Sequence, residues 1–473
     1  MRILTAVVIF TLTFFAYANV SPQDPFNPQH ITRTALALSL SEGRIDIDRL
    51  APYTIDKAFF EGHYYSDKQP GLSLLATPVV AATRVALDAI GSPSDPTNAG
   101  TDPKAAEALA TYVRVAAVAT VSLPAALAVM LVYLMARHLS VSQAAATFAS
   151  CALALGTPFF GWSSTMFAHS LSGAMLLGAV ALIVMARASP RTTLLTGLLL
   201  GLTLVVDITT APAAALIGVF LLARSEARLR DVLLLGAAGM VGLLPLLIYN
   251  QVAFSSPFRL GYSQVQGFEG MQQGFFGVTF PAPMVAGELL FGRFRGLLPL
   301  APVLLLVPIG LWAMLKSAAT RGVAMVIAGT FLCFLLINSS YFYWDGGSST
   351  GPRHIVASLP LAALALAFAW PPGWPAKVVA LLLLAVSLGI SMVTAFVDAM
   401  SPPWFGNPFF DYLLPGFLSG GWMQATIATV VVWLGFLLVA LLPGARGEGL
   451  RAVRWTTRSD RRGQAQAAWS EPD

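Results

Sequence analysis

The chain has 473 residues, of which 56% are hydrophobic and only 11% are charged, and its mean hydropathy is +0.72. Soluble domains are nearer half apolar and a quarter charged, so this composition predicts an all-α, polytopic bundle of transmembrane helices and excludes a large soluble domain. We expect the net charge of +5 to reflect the sidedness of the loops and not a nucleic-acid partner.

The N-terminal segment, residues 1–20, has one arginine, an apolar centre and an Ala-Tyr-Ala end. This pattern is typical of a secretory signal peptide with a small-residue cleavage site, but it also suits an uncleaved first transmembrane helix. We interpret it as the first span, because a polytopic protein needs only a signal anchor. The segment that follows lies outside the cytoplasm in either case.

A long first outer loop, residues 21–108, is predicted next. Residues 29–43 can form a helix with Ile31, Ala35 and Leu38 on one side, and such a helix would lie in the membrane interface. Residues 72–90 are apolar enough to enter the bilayer, although they include two charged side chains. The loop therefore combines interface helices with a charged window, residues 56–71.

The remaining spans lie between residues 109 and 443, which brings the total to about twelve in a single transmembrane domain. They are expected at residues 109–136, 143–158, 167–186, 192–207, 211–223, 231–253, 296–315, 322–342, 354–370, 377–397 and 423–443.

The loops between these spans fall into two sets by charge. One set holds most of the arginines, while residues 156–167 and 401–422 contain neither lysine nor arginine. The positive-inside rule places the basic set in the cytoplasm, together with the basic tail, residues 444–473, which we expect to be disordered near anionic lipid. With an inside N-terminus, the loops alternate correctly only if residues 72–90 form a re-entrant or interface helix.

Two aspartates in the charged window are candidates for a catalytic base. Asp56 and Asp67 are each followed by lysine and lie near aromatic residues, and a carboxylate held close to a hydroxyl can accept its proton. The alternative is that both are solvated loop charges. The neighbouring Tyr65 suits either an aromatic belt at the membrane surface or stacking against a sugar.

Five cations are expected on the outer side, against the positive-inside trend: Lys57, Lys68, Arg293, Arg295 and Arg353. Lys68 belongs to the charged window, and Arg295 and Arg353 each precede a span within glycine-containing segments. Arginine suits a phosphate in particular, so these residues are candidate anion ligands. The competing interpretation is that their long side chains reach towards lipid headgroups.

Polar residues at the outer ends of helices extend the candidate site. His169 and Asp207 each lie at the outer end of a predicted span, and Trp344 and His354 flank a glycine-rich loop. A charged residue near membrane depth points to function, although a histidine at a helix end is often a hydrogen-bonded structural residue. We include all four in the candidate site.

The sequence contains no metal-binding signature, phosphate-binding loop or dinucleotide fingerprint. Its two cysteines, Cys151 and Cys333, lie in apolar runs and predict neither a disulfide framework nor a metal site. We therefore expect no certain cofactor and leave a divalent cation open.

Three segments resemble the GT-C superfamily of integral-membrane glycosyltransferases, which includes protein mannosyltransferases and aminoarabinose transferases. They are Gly-His-Tyr-Tyr-Ser-Asp-Lys-Gln-Pro-Gly at 62–71, Arg-Gly-Leu-Leu-Pro-Leu-Ala-Pro at 295–302 and Trp-Asp-Gly-Gly-Ser-Ser-Thr-Gly-Pro-Arg-His at 344–354. The resemblance implies a GT-C-like fold in a bacterial cytoplasmic (inner) membrane, with its active face outside the cytoplasm.

The resemblance also implies a reaction and roles for the candidate residues. A sugar would pass from a polyprenyl-phosphate donor, whose tail lies among the helices and membrane lipids, to a lipid or glycan acceptor. An aspartate of the first loop would act as base. The residues that would bind the donor and its phosphate are Lys68, Arg295, Arg353, His169 and Tyr65.

The sequence departs from the family pattern at one place. Many GT-C members have an acidic pair shortly after the first span, whereas this chain has Asn27-Pro28-Gln29-His30 there, with Asp24 as the nearest acid. The base is therefore Asp24, Asp56 or Asp67, or the protein is an inactive scaffold. A transporter or flippase of a lipid-linked or anionic solute is a further alternative, but the clustering of charges at one face favours the enzyme.

Overall fold

The computed structural model describes residues 2–20, 24–265 and 267–441. The predicted disordered tail, residues 444–473, lies outside these described residues. Within them the chain is almost entirely helical, as predicted. The α-helices are α1 (Arg2–Asn19), α2 (Pro28–Ser41), α3 (Gly71–Ala89), α4 (Pro103–Ala117), α5 (Leu123–His138), α6 (Gln143–Leu155), α7 (Phe159–Trp162), α8 (Ala168–Met185), α9 (Pro190–Val206), α10 (Ala211–Ala223), α11 (Arg228–Phe254), α12 (Pro283–Phe291), α13 (Leu297–Leu300), α14 (Val307–Leu315), α15 (Ala318–Ser340), α16 (Leu359–Phe368), α17 (Trp374–Val397), α18 (Leu414–Ser419) and α19 (Met423–Leu441).

Short helical turns of other types join these helices. A π-helical turn, Val118–Ser122, makes α4 and α5 continuous. The others are 3₁₀ turns at Ala51–Tyr53, Ile208–Thr210, Gly261–Gln264, Glu269–Gln272, Pro302–Leu306 and Arg353–Ser358, and a π turn at Phe409–Leu413.

The helices confirm a multi-pass membrane protein but not the predicted number of about twelve spans. In the described residues, eight helical stretches are long and apolar enough to cross a membrane, and one of them is α3. The predicted spans 143–158, 192–207, 211–223, 296–315 and 354–370 correspond to shorter apolar helices. The span expected at 296–315 is broken into α13, a 3₁₀ turn and α14, because its prolines lack the N–H that a continuous helix requires.

Glycines bring two neighbouring helices, α9 and α11, into close backbone contact. A Cβ added at Gly197 would come within 2.5 Å of Leu235 O, and one at Gly201 would overlap Gly239 O. Small residues at such crossings let helix backbones approach closely in membrane proteins. This contact fixes the end of α9, where Asp207 follows.

Helix α2 forms where the sequence predicted an interface helix, but it is covered on most sides. Ile31, Ala35 and Leu38 are buried as expected, and so are the polar residues His30 and Arg33. Asn27 caps the helix by accepting a hydrogen bond from Gln29 N at 3.0 Å. The buried polar face of α2 is turned towards the candidate site.

Helix α3 runs beside α2 in the same direction. Near its start, Ser73 Oγ donates to Arg33 O at 2.9 Å, and near its end Arg84 forms an ion pair with Glu42. These two contacts hold α3 alongside α2, which has only 14 residues. The expectation that α3 does not cross the membrane stays a prediction.

A β-hairpin occupies the charged window and was not predicted from the sequence. Strands β1 (Lys57–Phe60) and β2 (His63–Ser66) are antiparallel, with Lys57 opposite Ser66. Glu61 and Gly62 form the turn with φ of 48° and 90°, as tight two-residue hairpins require. The hairpin brings its two flanking residues, Asp56 and Asp67, to the same end.

Candidate active site

The centre of the candidate site is a lysine held between the two aspartates that flank the hairpin. Lys68 Nζ lies 2.7 Å from Asp67 Oδ2 and 3.3 Å from Asp56 Oδ1. Asp56 and Asp67 are both buried. Two like-charged carboxylates can be close together at this position because the ammonium group between them compensates their repulsion.

Burial and the charges of neighbouring residues shift the pKa values of Asp67 and Lys68. Burial raises the pKa of Asp67 to about 6, an effect that Lys68 opposes and the negative charge of Asp56 reinforces. Burial by itself lowers the pKa of Lys68, but the two aspartates raise it above its usual value. Lys68 is therefore a protonated cation, whereas the pKa of Asp67 lies well above that of an ordinary aspartate.

The segment that follows α11 packs against the Asp56–Lys68–Asp67 group on one side. Gly261 lies so close to the chain at Asp67 that an added Cβ would be 2.9 Å from Asp67 Cα. The next residue, Tyr262, donates a hydrogen bond to Gln69 Oε1 at 3.2 Å, and its ring centroid lies 5.8 Å from Lys68 Nζ. Tyr262 thus forms a wall beside the ion pairs.

A cavity on one side of the group, which we call the polar chamber, has an empty volume of about 790 Å³ including its open mouth. Its polar lining consists of Asn27, Gln29, Asp56, Asp67, Lys68, Tyr262, Tyr341, Tyr343, Ser348, Arg353 and His354.

A glycine-rich loop carries Arg353 to the polar chamber. Gly346 and Gly347 have positive φ of 71° and 60°, and Gly346 leaves space for the Arg353 side chain. Arg295 fixes this loop from behind, because its Nε donates to Asp345 O at 2.8 Å and its Nη2 to Gly347 O at 2.7 Å. Burial lowers the pKa of Arg295 to about 10.

A larger cavity, the apolar chamber, is also lined by Lys68 and has an empty volume of about 1490 Å³ including its mouth. Its apolar lining includes Met271, Phe275, Phe276, Val278, Phe334 and Ile337, and its charged and imidazole groups are Arg33, Lys68, His169, Asp207 and His354. The two chambers adjoin, since six residues line both of them: Gln29, Lys68, Tyr262, Met271, Tyr341 and His354.

The polar groups of the apolar chamber are anchored at a helix end. Asp207 Oδ1 accepts hydrogen bonds from Thr209 N at 3.1 Å and Thr209 Oγ1 at 2.6 Å, and its Oδ2 lies 3.4 Å from His169 Nδ1. The imidazole ring of His354 lies 5.4 Å from that of His169. In this arrangement the carboxylate of Asp207 can accept a hydrogen bond from a ligand, and the imidazole rings of His169 and His354 can donate one.

The structure places the predicted site residues in two groups. Seven line the chambers: Asp56, Asp67, Lys68, Arg353, His354, His169 and Asp207. The other four lie elsewhere in the described chain: Asp24 is exposed, Tyr65 packs on Phe254, Trp344 packs on Phe294, and Arg295 supports the glycine-rich loop.

The chamber residues that the sequence analysis did not select include Arg33 and Tyr262. Arg33 lies in a stretch that was considered only for its apolar side, although a charge inside an apolar helix is itself an indication of function. Tyr262 lies in an irregular segment where no pattern singles it out. Within residues 2–20, 24–265 and 267–441, no group of three or more histidine, cysteine, aspartate or glutamate side chains is arranged to hold a metal ion.

No protein-family model matches the chain, and no curated protein matches it in sequence. Among solved structures, it is similar to ArnT from Cupriavidus metallidurans bound to undecaprenyl phosphate, with a TM-score of 0.54 and 14% identity over 93% of this chain and 73% of ArnT. ArnT is an aminoarabinose transferase of the GT-C superfamily. This chain has the GT-C fold. That result confirms the fold predicted from the three segments.

Two structures of the Archaeoglobus fulgidus oligosaccharyltransferase are also similar. One is the apo form, and the other is AglB in complex with an inhibitory peptide and a dolichol-phosphate. Each has a TM-score of 0.43 and 12% identity, over 85% of this chain and 56% of the other chain. The likeness to ArnT places the two chambers within a GT-C fold.

Proposed function

We propose that the protein is a glycosyltransferase that moves a sugar from a polyprenyl-phosphate donor to a lipid or glycan acceptor of the cell envelope. The observation that carries this proposal is the Asp56–Lys68–Asp67 group, whose lysine lines both a polar and an apolar chamber. The solved GT-C neighbour ArnT binds undecaprenyl phosphate, and a chamber with an apolar lining suits such an isoprenoid chain.

The reaction follows from the chemistry of this group. An aspartate, Asp56 or Asp67, accepts the proton of an acceptor hydroxyl as its oxygen bonds to the anomeric carbon of the sugar. The bond from that carbon to the phosphate oxygen breaks, and its electron pair leaves with the polyprenyl phosphate. Lys68 and the buried arginines of the chambers stabilise the charge on the departing phosphate.

The charge distribution of the loops supports an orientation for this reaction. The positive-inside rule favours an orientation in which the chambers face outward, and the resemblance to GT-C enzymes implies a bacterial cytoplasmic membrane. In that orientation the donor and the acceptor meet at the outer surface of the membrane, where envelope glycans are exposed.

Transfer by purified protein tests the proposal directly. The full chain is incubated in lipid with polyprenyl-phosphate sugars and candidate acceptors, and the glycosylated product is measured by mass spectrometry. Asp56→Asn or Asp67→Asn should reduce transfer by about 10²–10⁴-fold, the typical contribution of a general base. Asp24→Asn tests the remaining candidate.

A matched control is Asp88→Asn, because Asp88 is an exposed aspartate of α3 outside both chambers. It should retain wild-type transfer and wild-type melting temperature. Full activity in all three variants at Asp24, Asp56 and Asp67 would show that the assigned base is wrong. Movement of the intact lipid across the membrane without sugar transfer would instead support a flippase.

A further inference from the structure

A further cavity shares no lining residue with either chamber. It has an empty volume of about 680 Å³ including its mouth. We call it the phenylalanine cavity, because its apolar lining includes Phe291, Phe294, Phe409 and Phe410, together with Leu300 and Ile390. None of the residues assigned to the proposed reaction lines it, so it needs a separate explanation.

The apolar lining follows a helix that is long and apolar enough to cross a membrane. Ile390 lies within α17, seven positions before its last residue, Val397. At a rise of about 1.5 Å per residue, this part of the lining is about 10 Å along the helix from its end. At the rim, Phe291 and Phe410 are 67% and 63% exposed. Such a lining suits a hydrocarbon chain that enters from the bilayer.

One cation accompanies this apolar lining. Among the described residues that line the cavity, Arg293 alone carries a charge, and it is exposed and forms no ion pair within the described part of the chain. The nearby carboxylates accept hydrogen bonds from the backbone: Glu288 Oε1 from Phe294 N at 3.2 Å, and Asp411 Oδ2 from Asn407 N at 2.8 Å. A cation beside an apolar wall matches a lipid with a negatively charged headgroup.

The glycine-rich loop borders both this cavity and the polar chamber. Thr350 and Gly351 line the phenylalanine cavity, whereas Gly346, Ser348 and Arg353 of the same loop line the polar chamber. A ligand in the phenylalanine cavity would therefore contact the loop that carries Arg353.

The loop is packed tightly at this border. Thr350 N donates to Ala399 O at 2.9 Å, and Thr350 Oγ1 donates to Asp398 O at 2.9 Å. Gly351 has a positive φ of 76°, and a Cβ added there would lie 2.6 Å from Leu300 Cδ1. A hydrocarbon chain against Leu300 would thus stabilise the loop two residues before Arg353.

We propose that the phenylalanine cavity binds an anionic phospholipid of the surrounding bilayer. One acyl chain packs against the phenylalanines, and the phosphate group contacts Arg293. This lipid neither donates nor accepts sugar, and it stabilises the glycine-rich loop. Only its effect on transfer rests on the proposed function, because lipid binding requires no sugar chemistry.

Native mass spectrometry of the full chain in detergent tests the binding. The probes are phosphatidylglycerol, which is anionic, and phosphatidylcholine with the same acyl chains. The wild-type protein should bind phosphatidylglycerol more tightly. Arg293→Gln should weaken that binding about tenfold, the order of a hydrogen bond to a charged group, and should abolish the preference. Arg293→Lys should retain it, since the charge remains.

Lys104→Gln is the matched control, because Lys104 is an exposed cation at the start of α4 and lies outside the cavity. It should bind both lipids as the wild type does. Equal binding of the two lipids by wild-type protein would overturn the proposal. A preference for phosphatidylglycerol that survives in Arg293→Gln would overturn it as well.

Photo-crosslinking locates the bound lipid without a charge substitution. Phosphatidylglycerol with a diazirine in its acyl chain should form adducts within residues 291–300 and 407–410. Ile390→Trp, which fills part of the cavity and leaves Arg293 unchanged, should reduce these adducts. Adducts confined to residues 271–278, which line the apolar chamber, would contradict the proposed location.

Transfer assays separate this inference from the proposed function. Vesicles that contain phosphatidylglycerol should support faster transfer than vesicles of phosphatidylcholine alone, and this difference should vanish in Arg293→Gln. A raised KM for the acceptor with unchanged phosphatidylglycerol binding would identify an acceptor site and refute the phospholipid site. Wild-type protein that binds phosphatidylglycerol at Arg293 but transfers no sugar would refute only the proposed function.

Discussion

At the scale of single residues, the site depends on how two aspartates share one lysine. Asp67 is almost completely buried and bonds to Lys68 through one oxygen, while its Oδ1 has no partner among the described residues. Asp56 contacts the same ammonium group at a longer distance. Asp67 therefore has one charged partner, and it shares that partner with Asp56.

The raised pKa of Asp67 predicts a pH dependence of stability. Burial raises the pKa from 3.8 to about 6 in the folded protein, so ionisation of Asp67 favours the unfolded state. Its contribution to stability is fully present below about pH 4 and is lost as the pH rises through about 6. The difference between these limits is roughly 3 kcal/mol in the free energy of unfolding, since one pKa unit corresponds to about 1.4 kcal/mol.

Thermal unfolding of wild-type protein and the Asp67→Asn variant between pH 4 and pH 7.5 measures this contribution. The asparagine variant cannot ionise, so its melting temperature should fall less than that of the wild type over this interval. The difference between the two proteins isolates the part of the pH dependence that requires an ionisable side chain at residue 67. Parallel melting curves across the whole interval would show that Asp67 does not titrate there.

At the scale of secondary-structure elements, the sequence predicted the charged window but not its conformation. Asp56 and Asp67 are eleven positions apart, and only the hairpin between them brings both to Lys68. Its turn residues, Glu61 and Gly62, are a weaker signal than the Asn-Gly or Asp-Gly pairs that usually identify such turns. The pairing could therefore not be derived from the window alone.

Composition explains why other elements were easier to predict. Long apolar helices such as α11 and α17 follow from hydropathy alone, and α2 follows from its spacing of apolar residues. The role of Arg295 could not be predicted, because its partners are backbone carbonyl oxygens about fifty positions away. Arginine before a span can equally well bind a phosphate or support a loop.

The close crossing of α9 and α11 gives a prediction at this scale. Gly201→Ala would place a methyl group against the backbone oxygen of Gly239, so the helices must separate or the contact is lost. Overpacking of this kind costs about 1–3 kcal/mol. The variant should have a lower melting temperature and reduced transfer, because α9 ends next to Asp207.

Gly236→Ala is the matched control for this variant. Gly236 lies in α11 and has no atom within 4 Å of an added Cβ, and alanine favours a helix by roughly 0.5–1 kcal/mol relative to glycine. The control should melt at the wild-type temperature or slightly above it. Equal melting temperatures for the two variants would argue against a tight crossing at Gly201.

At the scale of the whole molecule, the GT-C fold and the charge asymmetry of the loops make a single prediction about orientation. Helix α3 lies beside the short helix α2. Arg84 of α3 forms an ion pair with Glu42, the residue that follows α2. If both helices stay on the outer side, the turn after α3 is extracytoplasmic, although α3 is long enough to cross.

Cysteine labelling in intact cells tests this orientation. With Cys151 and Cys333 replaced by alanine, single cysteines are introduced at the exposed residues Asn98, Ala188 and Ser419. A membrane-impermeant maleimide should label Asn98→Cys and Ser419→Cys directly, because both loops are expected outside. It should label Ala188→Cys, in a basic loop, only after permeabilisation. Each variant must retain transfer activity, so that its labelling reports the native arrangement. Labelling of Ser419→Cys but not Asn98→Cys in intact cells would show that α3 crosses the membrane.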